Sequence, residues 1–351
     1  MPLARVASPL LCTLFALTLV ACGGDDGPAE PVAGTPPAPA PGPAPAPPTG
    51  PAPTPAPVTV TGQYRLEPSA NTPDAALAAL NALGQQGHVF VSPVAGNATT
   101  LPVPTGDLYL SDSAHAASRL VYTMATPAAS MATHLALLNQ HGAAGRLYKG
   151  DLVYTGAGGF AQRSLFVQDT SRTATYTYEA KTTPLPSRKA DWLAELNAQG
   201  ARGFRFLQTA SVNSEAANLY VKVSAPAATY SYAFVDSPGP FGPADGAALK
   251  TLLNTRGAGK AAYLGASAVD NTSTFVMVFE TSSLQTAALT YDVVPVDPAD
   301  TLAQTTAKAN AKAAAGEFLF SDVVTADGRI STVYVKGAVS LRHPFTGPVF
   351  P

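Results

Sequence analysis

The sequence predicts an α+β fold of five tandem β-α-β-β units, and three observations carry that expectation. A helix-end pattern, L-N-x-x-G-x-x-G, is clearest at Leu196-Asn197…Gly200…Gly203 and returns as Leu80-Asn81…Gly84…Gly87 and Leu138-Asn139…Gly142…Gly145. It recurs in altered form as Leu253-Asn254…Gly257, with its second glycine one place early at Gly259, and as Ala309-Asn310…Gly316. The five Asn positions lie 58, 58, 57 and 56 residues apart, a spacing too even for chance. Each copy follows one strand-like run and precedes two more.

Unit one spans 58–113. Its first strand alternates from Val58 to Leu66, and Thr72-Pro73-Asp74 combines a capping hydroxyl, a first-turn proline and an acid at the positive end of the helix dipole. Leu77 and Leu80 give the helix an apolar face, and Gly84 is expected to close it as the left-handed residue. Val89-Phe90-Val91 and Asp107–Leu110 follow as strands. Unit two (114–170) repeats this with Leu120-Val121-Tyr122, a helix from Ser130 to His141, Arg146-Leu147-Tyr148 and Ser164–Val167. Unit three (171–226) has Thr175–Tyr178, a Ser187-capped helix carrying Trp192, Leu193 and Leu196, then Phe204–Leu207 and Leu219-Tyr220-Val221. Unit four (227–286) has Tyr230-Ser231-Tyr232, a helix near Pro243–Asn254, Ala262-Tyr263-Leu264 and Thr274–Phe279. Unit five (287–337) has Leu289-Thr290-Tyr291, an alanine-heavy helix near Asp300–Ala313 that lacks the leucines, Glu317–Phe320 and Ser331–Val335, with Asp327-Gly328 marking a tight turn. An atypical last unit is expected of an array. The tail, 338–351, is expected to lie along the surface.

The amino terminus reads as an export signal over 1–21: Arg5 precedes an apolar run, Leu10–Ala21, of about twelve residues, too short to span a bilayer. The run ends in Leu19-Val20-Ala21-Cys22, which resembles the lipobox of bacterial lipoproteins, in which the cysteine is lipidated and becomes the first residue after cleavage. The resemblance implies a membrane anchor at Cys22, and Gly23 in place of Asp implies sorting to the outer membrane. An unpaired thiol in an oxidising compartment is the disfavoured alternative. Residues 22–57 are rich in Pro and Ala, a composition that cannot bury enough apolar surface to fold. As polyproline II at ~3.1 Å per residue, such a tether could reach roughly 90 Å.

Each unit also resembles a family of short bacterial domains of unknown function, which read strand, helix, L-N-x-x-G-x-x-G-aromatic-E-hydrophobic, strand and strand. Unit three matches at Leu196, Asn197, Gly200, Gly203, Phe204 and Phe206, but Arg205 stands where the family has Glu. The resemblance implies no activity. Two arrangements suit five such units: a closed ring with five-fold pseudo-symmetry, or an open array in which each sheet pairs with the next. The ring resembles the pentein architecture, whose enzymes use a central Cys, but this chain has no Cys after Cys22.

Composition excludes several function classes. Charged residues make up 13% of the chain with a net charge of −2, which offers no footprint for nucleic acid. The motif Asn residues are expected to bond orphan carbonyls at the helix end or the N–H groups of the following loop rather than a ligand, and the paired glycines read as turn devices. Gly156, Gly158 and Gly159 lack the following helix and Lys-Ser/Thr of a phosphate cradle and read as a hairpin loop. His134 and His141 share a helix about 10.5 Å apart, too far for one metal, and His88, His115 and His343 are scattered. No metal, cofactor or catalytic residue is assigned. Tyr64, Tyr122, Tyr178, Tyr232 and Tyr291 recur once per unit and read as core, or as a stacking surface for sugars or peptides if they face outward. The function expected is a non-catalytic binding or structural module anchored in the envelope, with an envelope protein or polysaccharide as possible partner. The alternatives are a hydrolase of an envelope polymer and an accessory subunit or inhibitor of an envelope complex.

Overall fold

Alternation of apolar and polar residues, a capped helix and two further strands build the same unit five times. The computed structural model describes residues 59–96, 103–156, 159–182, 187–238, 242–270 and 273–351. The export signal, Cys22, the tether and Gly158 lie outside them. Unit one comprises β1 (Gly62–Pro68), α1 (Pro73–Gly84), β2 (Val89–Ala95) and β3 (Thr105–Asp112). Unit two comprises β4 (Leu120–Ala125), α2 (Met131–Ala143), β5 (Leu147–Gly156) and β6 (Gly159–Asp169). Unit three comprises β7 (Tyr176–Thr182), α3 (Lys189–Ala201), β8 (Arg205–Val212) and β9 (Glu215–Val223). Unit four comprises β10 (Tyr230–Ser237), α4 (Gly246–Ala258), β11 (Ala262–Val269) and β12 (Thr274–Ser282), and unit five β13 (Thr290–Pro295), α5 (Leu302–Ala314), β14 (Glu317–Val324) and β15 (Ile330–Lys336). The tail adds β16 (Arg342–His343) and β17 (Gly347–Pro348).

Every unit forms its own antiparallel three-stranded sheet with the last strand in the middle, as in β1-β3-β2. Side-chain caps start four helices at Thr72, Ser130, Asp245 and Thr301. In the third, Arg188 rather than Ser187 holds the N-cap position, without a side-chain cap.

The units are joined helix to strand. Each helix packs on the first strand of the following unit, α1 on β4, α2 on β7, α3 on β10 and α4 on β13, and α5 packs back on β1. The last contact closes the ring. No strand pairing joins one unit's sheet to another's among the described residues, so the open array of paired sheets is set aside.

The two glycines of the motif do different work. Gly87, Gly145, Gly203 and Gly316 take positive φ between 76° and 85°, and they end the helices in a left-handed residue. The first glycine is a packing device: a Cβ on Gly84, Gly142, Gly200 or Gly257 would stand 2.1–2.4 Å from a carbonyl oxygen at the start of the next unit's first strand or, for Gly257, of Leu289 just before it. The expectation that Gly84 supplies the left-handed closure is therefore corrected to Gly87. In unit four the left-handed residue is Lys260, at φ 66°, and not Gly259, whose φ is −84°. At the seam between units five and one the helix carries Ala313 and the strand carries Gly62 at the matching places, so a glycine still lies on one side of the approach.

The motif Asn also reaches beyond its own unit. Asn139 accepts from the Tyr178 N–H (2.8 Å) and donates to the Tyr178 carbonyl (3.0 Å) and to Leu135 O in its own helix (3.1 Å). Asn81 grips Tyr122, Asn197 grips Tyr232, Asn254 grips Tyr291 and Asn310 grips Tyr64 in the same two-way manner. The partner is thus a neighbouring strand, and not the orphan carbonyls or loop N–H groups that the sequence led one to expect. The gripped tyrosines are all buried, and each sends its hydroxyl back into the preceding unit. The Tyr122, Tyr178, Tyr232, Tyr291 and Tyr64 hydroxyls accept the N–H of Phe90, Tyr148, Phe206, Tyr263 and Leu319. Those five residues sit where the second strand of each unit slips register at a one-residue bulge, at 91, 149, 207, 264 and 320.

Two variants test this joint. Asn139→Ala removes three hydrogen bonds and leaves a Tyr178 peptide unpaired, and is expected to cost about 2–3 kcal/mol. Tyr178→Phe strips only the acceptor of the Tyr148 N–H and is expected to cost about 1–2 kcal/mol. Urea unfolding of the two variants measures both, and a loss below about 0.5 kcal/mol for Asn139→Ala would refute the joint's structural role.

Candidate functional site

Two places gather chemistry: the hub, where the bulged strands meet the tail, and a cleft in unit five. The tail does not lie along the surface as expected. Arg342, His343, Thr346, Val349 and Phe350 are buried, and the tail touches every unit. Thr346 Oγ1 donates to Val91 O (2.8 Å) and Arg342 Nη2 to Leu207 O (2.6 Å), both bulge carbonyls. A bulge leaves its extra residue outside the ladder, and the tail supplies the missing donors. In unit two the polarity is reversed: the bulge residue is Lys149, whose ammonium donates to Pro348 O (2.6 Å) and Val349 O (3.1 Å). Against unit four Arg342 faces Glu280, and β16 packs on β14 of unit five. Phe350 stacks on His115 at 3.8 Å. Equivalent positions of three successive units thus face one strand-like segment, which places the tail on the ring's axis.

The hub holds an ion cluster. Arg205 bonds Glu280 through Nε (2.8 Å) and Nη2 (2.6 Å), the Tyr232 hydroxyl donates to Glu280 at 3.0 Å, and Arg342 Nη1 lies 3.5 Å from the same carboxylate. All three ionic side chains are under 10% exposed. Burial disfavours the Glu280 charge, yet Arg205 and Arg342 together hold its carboxyl below the usual range. Arg205 and Glu280 occupy places that are apolar in the other units, Val89, Leu147, Ala262 and Phe318 for the one and Leu110, Val167, Val221 and Val335 for the other. The pair is a matched departure from the repeat across the boundary of units three and four. His343 is driven down to about 3 by burial, with Lys149 adding to the effect, and is neutral at pH 7.

The cleft opens under α5. It measures ≈ 430 Å³, with Val294, Val296, Ala311 and Ala315 among its apolar walls and Asp300, Lys308, Lys312 and Glu317 among its polar ones. Five residues before the motif Asn, units two, three and four bury His134, Trp192 and Leu249, whereas unit five has an exposed Thr305. Unit one has the small Ala76 at the same place, so the comparison that marks out unit five is with units two, three and four.

A family model described as PT dipeptide repeat lipoprotein matches residues 44–338. The chain belongs to that family. It is a lipoprotein built from tandem repeats, which associates with the cell envelope through lipid. No curated protein and no solved structure matches the chain significantly. No helix among the described residues is long and apolar enough to cross a membrane.

The other residues singled out in the sequence lie apart from both places or serve the core. His134 packs edge-on to Tyr148, and His141 stacks on Phe166 at 3.8 Å. Burial lowers both imidazoles. No group of three or more His, Cys, Asp or Glu side chains placed to hold a metal occurs among the described residues. Gly156 and Gly159 pair across the β5–β6 hairpin. The hub cluster was not anticipated, because its members are 75 and 62 residues apart in the chain. The signal was present all the same: Val278-Phe279-Glu280 breaks a strand triplet that ends in an apolar residue in every other unit.

Burial with only two carbonyls for partners pushes Lys149 down to about 7, against an ordinary lysine value of 10.5. The folded state therefore binds fewer protons than the unfolded chain between those values, and stability should rise with pH across that window, by up to about 1.4 kcal/mol per pH unit. The urea midpoint is expected to climb from pH 7 to pH 9 in the wild type and to stay level in Lys149→Met. An equal climb in both proteins would overturn the assignment.

Proposed function

We propose that the protein is exported by residues 1–21, acylated at Cys22, held at the outer membrane by that anchor, and acts as a non-catalytic binding or structural module. The leader supports the first part through Leu19-Val20-Ala21-Cys22, and a diacyl or triacyl cysteine at ~0.8 kcal/mol per buried CH2 would be a lasting anchor. The likeness of each unit to short bacterial domains of unknown function belongs to the same reading. The observation that carries the non-catalytic part is how the ring spends its polar groups. The repeated Asn is committed to the next unit's backbone, and the buried ions of the hub are committed to one another and to the tail. A hydrolase would need acids, Ser or His from several units in an open cleft. The hub draws Lys149, Arg205 and Glu280 from three units, but under the tail.

Metabolic labelling with a palmitate analogue, followed by membrane fractionation, tests the anchor. Wild type should be labelled and recovered with the outer membrane, and Cys22→Ala should be unlabelled and soluble. Label retained in Cys22→Ala would refute acylation at this residue.

A further inference from the structure

We propose that the cleft of unit five binds a neutral saccharide, with Tyr334 and the rim ion pairs as its hydrogen-bonding groups. The proposal rests on the reading of the domain as a binding module and names its ligand class.

The cleft's charges cancel. Its ionic lining is two lysines and two acids, and each is already paired: Lys308 with Asp300 at 2.5 Å and Lys312 with Glu317 at 2.6 Å, with Asp292 as a second partner of Lys312. A net ionic ligand would gain nothing from such a lining and would lose hydration on entering it. An ion pair still carries ammonium hydrogens and carboxylate lone pairs that its own contact does not use. Fixed donors and acceptors side by side match vicinal hydroxyl groups, which accept from the ammonium and donate to the carboxylate. The wall of Val294, Val296, Ala311 and Ala315 matches the C–H face of a pyranose ring. A volume of ≈ 430 Å³ is in the range of small-molecule sites and exceeds what a few waters need.

Tyr334 is the second, independent observation. It lines the cleft and is 4% exposed, and its hydroxyl makes no hydrogen bond to any described residue. Its counterpart in unit three, Tyr220, donates to Glu195 at 2.6 Å. Two residues before the motif Asn, where unit three has Glu195, unit five has Lys308, which turns away to Asp300. The hydroxyl borders the cleft with no bond to a described residue, so its donor is open to a ligand oxygen there.

The test uses the full chain carrying Cys22→Ala, which removes the lipid and leaves the cleft untouched. Saturation-transfer NMR with N-acetylglucosamine as probe should give a ring-proton signal, and glucuronate, which carries a charge on a similar ring, should give none. Tyr334→Phe should weaken binding about five- to tenfold. Ala311→Leu and, separately, Thr305→Leu add bulk to the cleft and should abolish the signal while the thermal midpoint holds or rises. No signal with the neutral sugar, a signal undiminished in either leucine variant, or equal binding of glucuronate would each overturn the proposal. An empty cleft would leave acylation at Cys22 standing, and cleavage of a saccharide polymer would instead sink the non-catalytic reading.

Discussion

One side-chain amide holds this ring together. The Asn carboxamide has the same donor and acceptor as a peptide group, so it pairs with both the N–H and the C=O of a single tyrosine as an adjacent strand would. The strand it meets is an edge strand, whose outward row of polar groups would otherwise invite pairing with another chain. Each helix covers the edge, and the glycine three residues after the Asn lets the two backbones approach. The tyrosine completes the joint in the other direction, because its hydroxyl caps the N–H beside the preceding unit's bulge. The two halves support each other: the hydroxyl pairs the N–H beside the bulge, and the amide sets the strand that carries the hydroxyl.

Much of this was legible in the chain. Period, element order and the placement of helices follow from the spacing of the Asn residues and from turn chemistry at Thr72, Ser130 and Asp327-Gly328. What the chain could not disclose was the direction in which a polar group points. Asn at a helix end is equally suited to its own carbonyls and to a neighbour, and only the ring places Tyr178 opposite Asn139. The roles of the two glycines are hidden for a related reason: one is needed for torsion and the other for proximity, and proximity is a property of two units. The tail's prolines suggest a surface segment, while the bulge carbonyls that hold it inside come from residues such as Val91 and Leu207, which carry no polar side chain to announce them.

The hub and the fifth unit depart from the repeat in opposite senses. At the hub, polar side chains replace apolar ones and are consumed internally, since a buried guanidinium without a carboxylate would be far costlier than the apolar pair it replaced. In unit five, Thr305 stands where units two, three and four bury a larger side chain, and an open cleft lies beside it. Near-symmetry makes both departures visible, because four other copies for the hub and three for the cleft hold a different kind of side chain.

The joint between Asn310 and Tyr64 spans 246 residues of sequence, whereas the other four span 35 to 41. A chain synthesised amino terminus first can set its first four joints as their partners emerge, but β1 must wait for α5. Until then the first unit exposes an uncovered strand edge and a tyrosine without its bulge partner, so the chain is most vulnerable to pairing with a second copy while it is still being made. The length of the segment between first and last unit adds little to that wait in equilibrium terms, since loop entropy grows only logarithmically. What governs it is the rate at which the remaining polypeptide arrives.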